Sequence, residues 1–293
     1  MAMPATLRER LLAWPFYILP QHAISWLMYQ LARVRFVPVK NLVIRIYSRL
    51  HAVNMQEAVI EDKFAYESLN AFFTRALKPE CRPLDATPES WICPVDGSVS
   101  QAGDIQQGRI FQAKGCDYSL LELLGGDTER AAAFSNGHFA TLYLSPRDYH
   151  RIHMPLAGEL EQMRYIPGRL FSVATHTVNA IPRLFARNER AVCHFNTAQG
   201  PMALVLVGAI NVSAMETVWH GLIRSNGRIQ QFDYRQKNIQ LQRGEEMGRF
   251  NLGSTVIVLG GENMGWDTAI AAGKEVKLGQ RLAVRTKMAI SAR

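Results

Sequence analysis

Short β-type segments follow one another along the chain after Pro83, and they limit it to a fold dominated by sheets. Most are rich in β-branched or apolar residues, and Gly, Pro, Asn or Asp separates them. Strands are predicted at 98–102, 140–144, 202–210, 238–241, 255–259 and 281–286. Helical stretches are predicted near 120–124 and 171–178. These segments predict an α+β, mainly β fold.

Residues 61–293 contain no linker or change of composition, so we interpret them as one β-rich domain. A chain of 293 residues that is 48% hydrophobic can bury a substantial core. A helix is predicted over 62–77, where Pro79 closes it. The glycines of 273–282 predict a terminal hairpin, as barrel-sandwich folds often show. The four cysteines have no C-x-x-C spacing, which indicates reduced thiols in a cytoplasmic setting.

The first 60 residues differ from this domain in charge and in aromatic content. Residues 1–50 carry seven Lys and Arg side chains against the single acid Glu9, which gives +6 of the net charge of +8. The 22 residues between Arg10 and Arg33 are uncharged, but Pro15 and Pro20 would break a spanning helix. From 38 to 50, apolar residues recur at helical spacing on one face, with basic residues away from it.

This pattern predicts short amphipathic helices in 1–60 that lie on an anionic membrane surface without crossing it. Trp and Tyr suit the boundary between water and lipid. The alternative is that the same helices pack on the globular domain or on a second subunit. Nucleic acid is the less favoured partner, because the rest of the chain is nearly neutral and the basic segment is rich in apolar side chains.

One unusual peptide bond joins Gly253 to Ser254, where the turn 252–254 enters the apolar strand 255–259. Gly253 has no Cβ and can adopt backbone angles that leave its carbonyl open to attack by the Ser254 hydroxyl. An N-to-O acyl shift followed by β-elimination would cut the chain here and leave a ketone on the new amino end. That ketone could capture an amine as a Schiff base. Without support from elsewhere, Gly-Ser is an ordinary turn before a strand.

Three further side chains could take part in acid–base chemistry. Asp96 lies in the tight turn 94–97 that opens a predicted strand, although Asp-Gly turns are common structural features. His150 and His153 would face the same pocket on a helical turn, but they would diverge on an extended strand. Each histidine could act as a general acid or base near neutral pH. No carboxylate or thiolate spacing around them supports a metal site, and none is predicted.

These segments together resemble the pyruvoyl-dependent phosphatidylserine decarboxylases of bacteria. The motifs stand in the same order as in the family and span nearly the whole chain beyond residue 60. Residues 1–50 resemble the family in their general character and not in motifs, and residues 225–238 depart from the family pattern. The matching motifs are 72–75, 82–83, 94–97, 113–115, 143–155, 167–173, 179–190, 207–209, 216–219 and 244–256.

The resemblance implies that the proenzyme cuts itself between Gly253 and Ser254 into chains 1–253 and 254–293. Ser254 would become a covalent pyruvoyl group, the only cofactor implied. His153 would take the serine proton, Asp96 would orient His153 as in a Ser-His-Asp relay, and His150 would be the proton donor in decarboxylation. The implied reaction forms a Schiff base with phosphatidylserine and releases phosphatidylethanolamine and carbon dioxide.

The partners implied are phosphatidylserine, an anionic membrane surface, and the two chains of one precursor, which would stay associated and pair as a homodimer. The implied location is peripheral, on the cytoplasmic face of the cell membrane. Two other classes stay open at this point: an uncleaved hydrolase, although Ser254 lacks the G-x-S-x-G elbow, and a membrane-bound β scaffold without chemistry. Arg187 and Arg190 are candidate contacts for the substrate phosphate, which the sequence does not otherwise place.

Overall fold

The computed structural model describes residues 5–210, 214–251 and 253–285. Leu252 and Thr286, which the predicted turn and last strand include, lie outside the described residues. The N-terminal helices are α1 (Leu7–Ala13), α2 (Pro15–Ile18), α3 (Gln21–Ala32) and α4 (Val37–His51). The later helices are α5 (Leu69–Phe73), α6 (Leu120–Leu123), α7 (Thr128–Ala132), α8 (Thr175–Ala180) and α9 (Leu184–Arg187), with a 3₁₀ turn at Pro79–Cys81.

Strands are the main regular structure of the residues that follow, which confirms the mainly β prediction. The first nine are β1 (Trp91–Ile92), β2 (Gly97–Asp104), β3 (Arg109–Ala113), β4 (Cys116–Ser119), β5 (His138–Leu144), β6 (Arg151–His153), β7 (Gly158–Ile166), β8 (Arg190–Thr197) and β9 (Gly200–Val207). The others are β10 (Met215–Thr217), β11 (Gly221–Leu222), β12 (Gln230–Asp233), β13 (Gln240–Leu241), β14 (Glu246–Phe250), β15 (Ser254–Gly260), β16 (Met264–Trp266), β17 (Glu275–Val276) and β18 (Arg281–Arg285).

The main sheet is antiparallel and runs in the order β12-β7-β8-β9-β15-β5-β2-β17, with β13 beside β7. All seven residues of β15 are buried, as the apolar run at 255–259 predicts. A smaller sheet has the order β11-β10-β14-β6. Its strand β6 ends at His153, and its strand β14 ends at Phe250, shortly before Ser254. The described strands form open sheets, and no closed barrel is found among them.

Two sequence predictions are wrong in detail. The helix expected over 62–77 is only α5, since Ser68 caps its start with a hydrogen bond from the Ala71 amide and the residues before Ser68 form turns. The terminal hairpin is also absent from the described strands. β17 pairs with β2, whereas β18 pairs with β1 and β16 in another sheet. Local glycine spacing could not show that these neighbouring strands have distant partners.

The N-terminal helices rest on the domain by one face. Ile44 of α4 packs in a small core with Phe72 and Phe73 of α5, and the Glu9 carboxylate of α1 binds Lys114 at 2.8 Å. The other face is apolar and exposed, with Trp26 and Leu27 each 62% exposed and Leu50 73% exposed. In the described ranges, none of the helices combines the length and apolar character needed to cross a bilayer.

Candidate active site

Ser254 is the first residue of the central strand β15 and is completely buried. It pairs with Leu144 of β5, while Thr255 beside it pairs with Val207 of β9. Its hydroxyl has no hydrogen-bond partner in the described part of the chain. A buried, unpaired hydroxyl costs folding free energy, and such an atom calls for an explanation beyond stability.

Gly253, which precedes Ser254, has a φ of 33°. This left-handed conformation would be strained in a residue with a side chain. Two hydrogen bonds anchor the residues before Gly253, and the paired strand β15 begins directly after it. The Phe250 amide donates to the His150 carbonyl at 3.1 Å, and the Asn251 amide donates to the Ala214 carbonyl at 3.0 Å. The Gly253–Ser254 peptide therefore lies between two fixed segments, in a backbone conformation that favours glycine.

His150 lies in the loop before β6 and is completely buried, with its ring centroid 4.1 Å from that of Phe73. Its Nδ1–H donates to the Asp148 carbonyl at 2.9 Å, because a carbonyl can only accept. Burial, aided by the charge of Arg75, lowers the pKa of His150 to about 3 against the opposing effect of the Asp148 hydrogen bond. The ring is therefore neutral at pH 7, with an unpaired lone pair on Nε2 and no partner there among the described atoms.

His153, in β6, has a different environment. Its Nδ1–H donates to the Gly244 carbonyl at 2.8 Å, and its Nε2 accepts from the Tyr149 hydroxyl at 3.1 Å. Burial lowers the pKa of His153 from its ordinary value. His153 lies in the extended segment 151–153 and His150 in the loop before it, so the two histidines are not on one helical turn.

Asp96 is buried in the turn before β2 and is held by two donors. Arg82 donates to both carboxylate oxygens, with Nε 2.9 Å from Oδ1, and the Leu278 amide donates to Oδ1 at 2.9 Å. No hydrogen bond joins Asp96 to His153 in the described residues. The Asp96 charge still acts on His153 by raising its pKa, against the larger effect of burial.

The backbone brings the three predicted relay residues to one end of the main sheet. The His153 amide donates to the Pro94 carbonyl at 2.9 Å, which places the 94–97 turn beside β6. A Cβ on Gly97 would lie 2.2 Å from the Tyr143 carbonyl oxygen, so only glycine lets β2 approach β5 so closely. Ser254 begins β15 on the other side of β5. The segments are adjacent, although no hydrogen bond links the three side chains in the described structure.

Sequence reasoning missed Arg82, Tyr149 and Arg75 as parts of this site. Arg82 and Tyr149 contact Asp96 and His153 directly, and both stand in the stretches that carry the family resemblance. Arg75 lines a cavity of about 380 Å³ together with Asp96. Of the two arginines considered for phosphate, Arg190 has its guanidinium committed to the carbonyls of Glu122, Leu123 and Asn188.

Comparison with known proteins identifies the family of this chain. A family model described as phosphatidylserine decarboxylase matches residues 69–284, and a second, described as PSD, matches residues 11–51. The chain is 53% identical over 283 residues to the phosphatidylserine decarboxylase proenzyme of Pseudomonas entomophila, covering 95% of this chain and 99% of the relative. It is 52% identical over 280 residues to the proenzyme of Bordetella pertussis, covering 94% of each.

These matches run through both the N-terminal helices and the β domain, and they include all four candidate side chains. The chain therefore belongs to the phosphatidylserine decarboxylase family, whose members convert phosphatidylserine to phosphatidylethanolamine and carbon dioxide.

Proposed function

We propose that this decarboxylase makes its own prosthetic group from Ser254 by cutting the chain after Gly253. The observation that carries the proposal is the completely buried, unpartnered Ser254 hydroxyl, directly after a glycine with a φ of 33°. Attack of the hydroxyl on the Gly253 carbonyl turns the amide into an ester. Elimination then removes the Cα proton, releases the Gly253 carboxylate and leaves a dehydroalanine at residue 254. Water hydrolyses its imine tautomer, which releases ammonia and leaves a ketone at residue 254.

His153 is the proposed base for the Ser254 proton. The Gly244 carbonyl holds the proton on Nδ1, so the basic lone pair is on Nε2. The Tyr149 hydroxyl now donates to that nitrogen, and it must release or relay this bond when the serine proton is transferred. Asp96 acts through its charge, which favours the protonated His153 formed in the step.

His150 is the proposed proton carrier in decarboxylation. A pyruvoyl ketone would bind the substrate amine covalently and supply the electron sink for loss of carbon dioxide. The Nε2 of His150 is unprotonated at pH 7, so His150 must first take up the proton that the substrate ammonium loses, a transfer that burial of the ring opposes. It can then return that proton to the substrate Cα after carbon dioxide has left. The buried Phe73 ring beside it limits access of water.

Denaturing mass spectrometry of the purified protein tests the processing proposal. We expect chains 1–253 and 254–293, the second without a free amino group and resistant to Edman sequencing. A single intact chain of 33.0 kDa in a preparation that releases carbon dioxide from phosphatidylserine would contradict the proposal.

We also propose that the exposed face of the N-terminal helices holds the enzyme peripherally on the cytoplasmic face of an anionic membrane. Trp14, Trp26 and Leu50 are each more than 60% exposed, although such side chains are normally covered by protein or lipid. Arg45 and Arg49 are exposed on α4, the helix that carries Leu50, and provide attraction for anionic lipid. The homodimer remains a prediction.

Vesicle flotation at several salt concentrations measures this binding. Each basic residue near an anionic surface contributes about 1 kcal/mol, so Arg45→Gln with Arg49→Gln should weaken binding roughly thirtyfold. A matched pair of exposed residues on the β domain, Arg228→Gln with Lys237→Gln, should bind as the wild type does. Equal binding by both double variants, or binding unaffected by salt, would count against an electrostatic contribution from α4.

A further inference from the structure

The cavity of about 380 Å³ at the end of the main sheet is placed to receive a lipid head group. Its wall includes Ser145, the residue after Leu144, and Leu144 pairs directly with Ser254. Ala52 and Asn54, which follow α4, line another part of the wall. The cavity therefore extends from the chain beside the reacting residue to the end of the helix proposed to lie on the membrane.

Three of the four basic side chains that line this cavity are already paired with carboxylates. Arg82 binds Asp96 and Glu57, Arg147 binds Glu275 at 2.8 Å, and Lys277 lies 3.9 Å from Glu57. Arg75 is the exception: no carboxylate lies within ion-pair distance of its guanidinium in the parts of the chain that are described.

Arg75 is only 4% exposed, yet much of its hydrogen-bonding capacity is unused. Nη2 donates to the Arg147 carbonyl at 3.1 Å, whereas Nε and Nη1 have no partner among the described residues. The Arg75 Cζ lies 5.9 Å from the centroid of the Phe72 ring. This cation–π interaction offsets only a small part of the free-energy cost of burying the charge. A buried cation with free donors is costly unless an anion completes it.

We propose that Arg75 binds the phosphate group of phosphatidylserine. The inference rests on the decarboxylase function of the site. A guanidinium presents its donors as a planar fork that suits phosphate oxygens. The substrate carboxylate is the poorer choice of partner, because a cation that stabilises it would oppose its loss as neutral carbon dioxide. The phosphate keeps its charge throughout the reaction, so its binding holds the head group without slowing the chemistry.

The acidic side chains near Arg75 do not prevent it from binding a phosphate. The Asp96 carboxylate is paired with Arg82. The Asp148 carboxylate accepts a hydrogen bond from the Ser145 amide and lies 3.8 Å from Arg147. Arg75 also lies close enough to His150 for its charge to lower the pKa of that ring. A phosphate bound at Arg75 would thus lie near the proposed proton carrier, as a serine head group requires.

The experiment compares Arg75→Gln, Arg75→Lys and the control Arg147→Gln, which removes an exposed cavity cation that already has a carboxylate partner. Steady-state rates with short-chain phosphatidylserine give kcat and KM. Inhibition constants are measured for glycerophosphoethanolamine, which has the phosphate but no carboxylate, and for serine, which has the carboxylate but no phosphate. A gel that separates the two chains confirms processing of each variant.

For Arg75→Gln we expect KM and the inhibition constant of glycerophosphoethanolamine to rise about ten- to hundredfold, with inhibition by serine unchanged. Arg75→Lys should give a smaller rise, since it keeps the charge but loses the fork, and it serves as the test variant if Arg75→Gln is not processed. Unchanged constants, or weaker inhibition by serine alone, would overturn the assignment. The decarboxylase function is judged separately by carbon dioxide release from the wild type.

Discussion

Ser254→Ala is expected to give a single chain of 33.0 kDa that releases no carbon dioxide from phosphatidylserine. The substitution removes only the hydroxyl that attacks the Gly253 carbonyl. Because that hydroxyl is buried and has no partner in the described structure, its loss breaks no known hydrogen bond, and the protein should fold as the wild type does. Denaturing gels and labelled carbon dioxide release measure the two outcomes, while circular dichroism checks the fold.

The next residue offers a matched control. Thr255 is also completely buried, and its hydroxyl is likewise unpartnered among the described residues. Thr255→Val keeps the β-branched shape in the same strand and should be cut and active. If Ser254→Ala is still cut after Gly253, or if Thr255→Val blocks cleavage as completely, the hydroxyl of residue 254 is not the nucleophile.

His150→Ala is expected to yield both chains and the blocked amino terminus but to lose about 10²- to 10⁴-fold in turnover, the usual contribution of a positioned general acid or base. His153→Ala should instead leave mostly uncut precursor, and Asp96→Asn should show a milder form of the same defect. The difference arises because the Ser254 proton must move before cleavage, whereas the substrate Cα gains its proton only afterwards. Cleavage on a gel and release of labelled carbon dioxide separate the two roles.

His194→Ala is the control for loss of a buried imidazole. His194 in β8 is 2% exposed, its Nε2 has no partner in the described ranges, and burial lowers its pKa to about 3. It packs near Phe134, away from the β6 loop, and its substitution should preserve turnover per cleaved molecule. Blocked cleavage in His150→Ala, or normal cleavage with slow turnover in His153→Ala, would show that the two roles are assigned wrongly.

The sequence predicted best those elements whose signals are local. The basic helix predicted at 38–50 is α4, and the apolar run 255–259 lies in β15. Both predictions succeeded because hydrophobic periodicity and β-branched residues depend only on residues close in sequence. The helix at 62–77 was overextended, since the cap at Ser68 outweighs the propensity of the residues before it. The 273–282 hairpin failed because the partners of β17 and β18 are distant in sequence.

The sequence indicated candidate residues for the site but not the contacts that they make. Family motifs pointed to Asp96, His153 and Ser254, yet the partner of Asp96 is Arg82, 14 residues earlier, and that of His153 is Tyr149. A motif specifies residue types and their order, but it does not specify which side chains form hydrogen bonds with each other in the folded protein. The relay therefore remains a prediction for the cleavage step. In this structure Asp96 and His153 have separate hydrogen-bond partners, and the Ser254 hydroxyl has none among the described residues.

The position of β15 has a consequence for the folding of the mature enzyme. After cleavage, chain 254–293 would contribute this strand to the middle of a sheet whose two neighbours, β5 and β9, belong to chain 1–253. The short chain could then leave only if the sheet were opened between its central strands. Before the cut, folding is a unimolecular process, but afterwards recovery from denaturation would require two molecules to meet. The lifetime of the mature enzyme would therefore be governed by its unfolding rate.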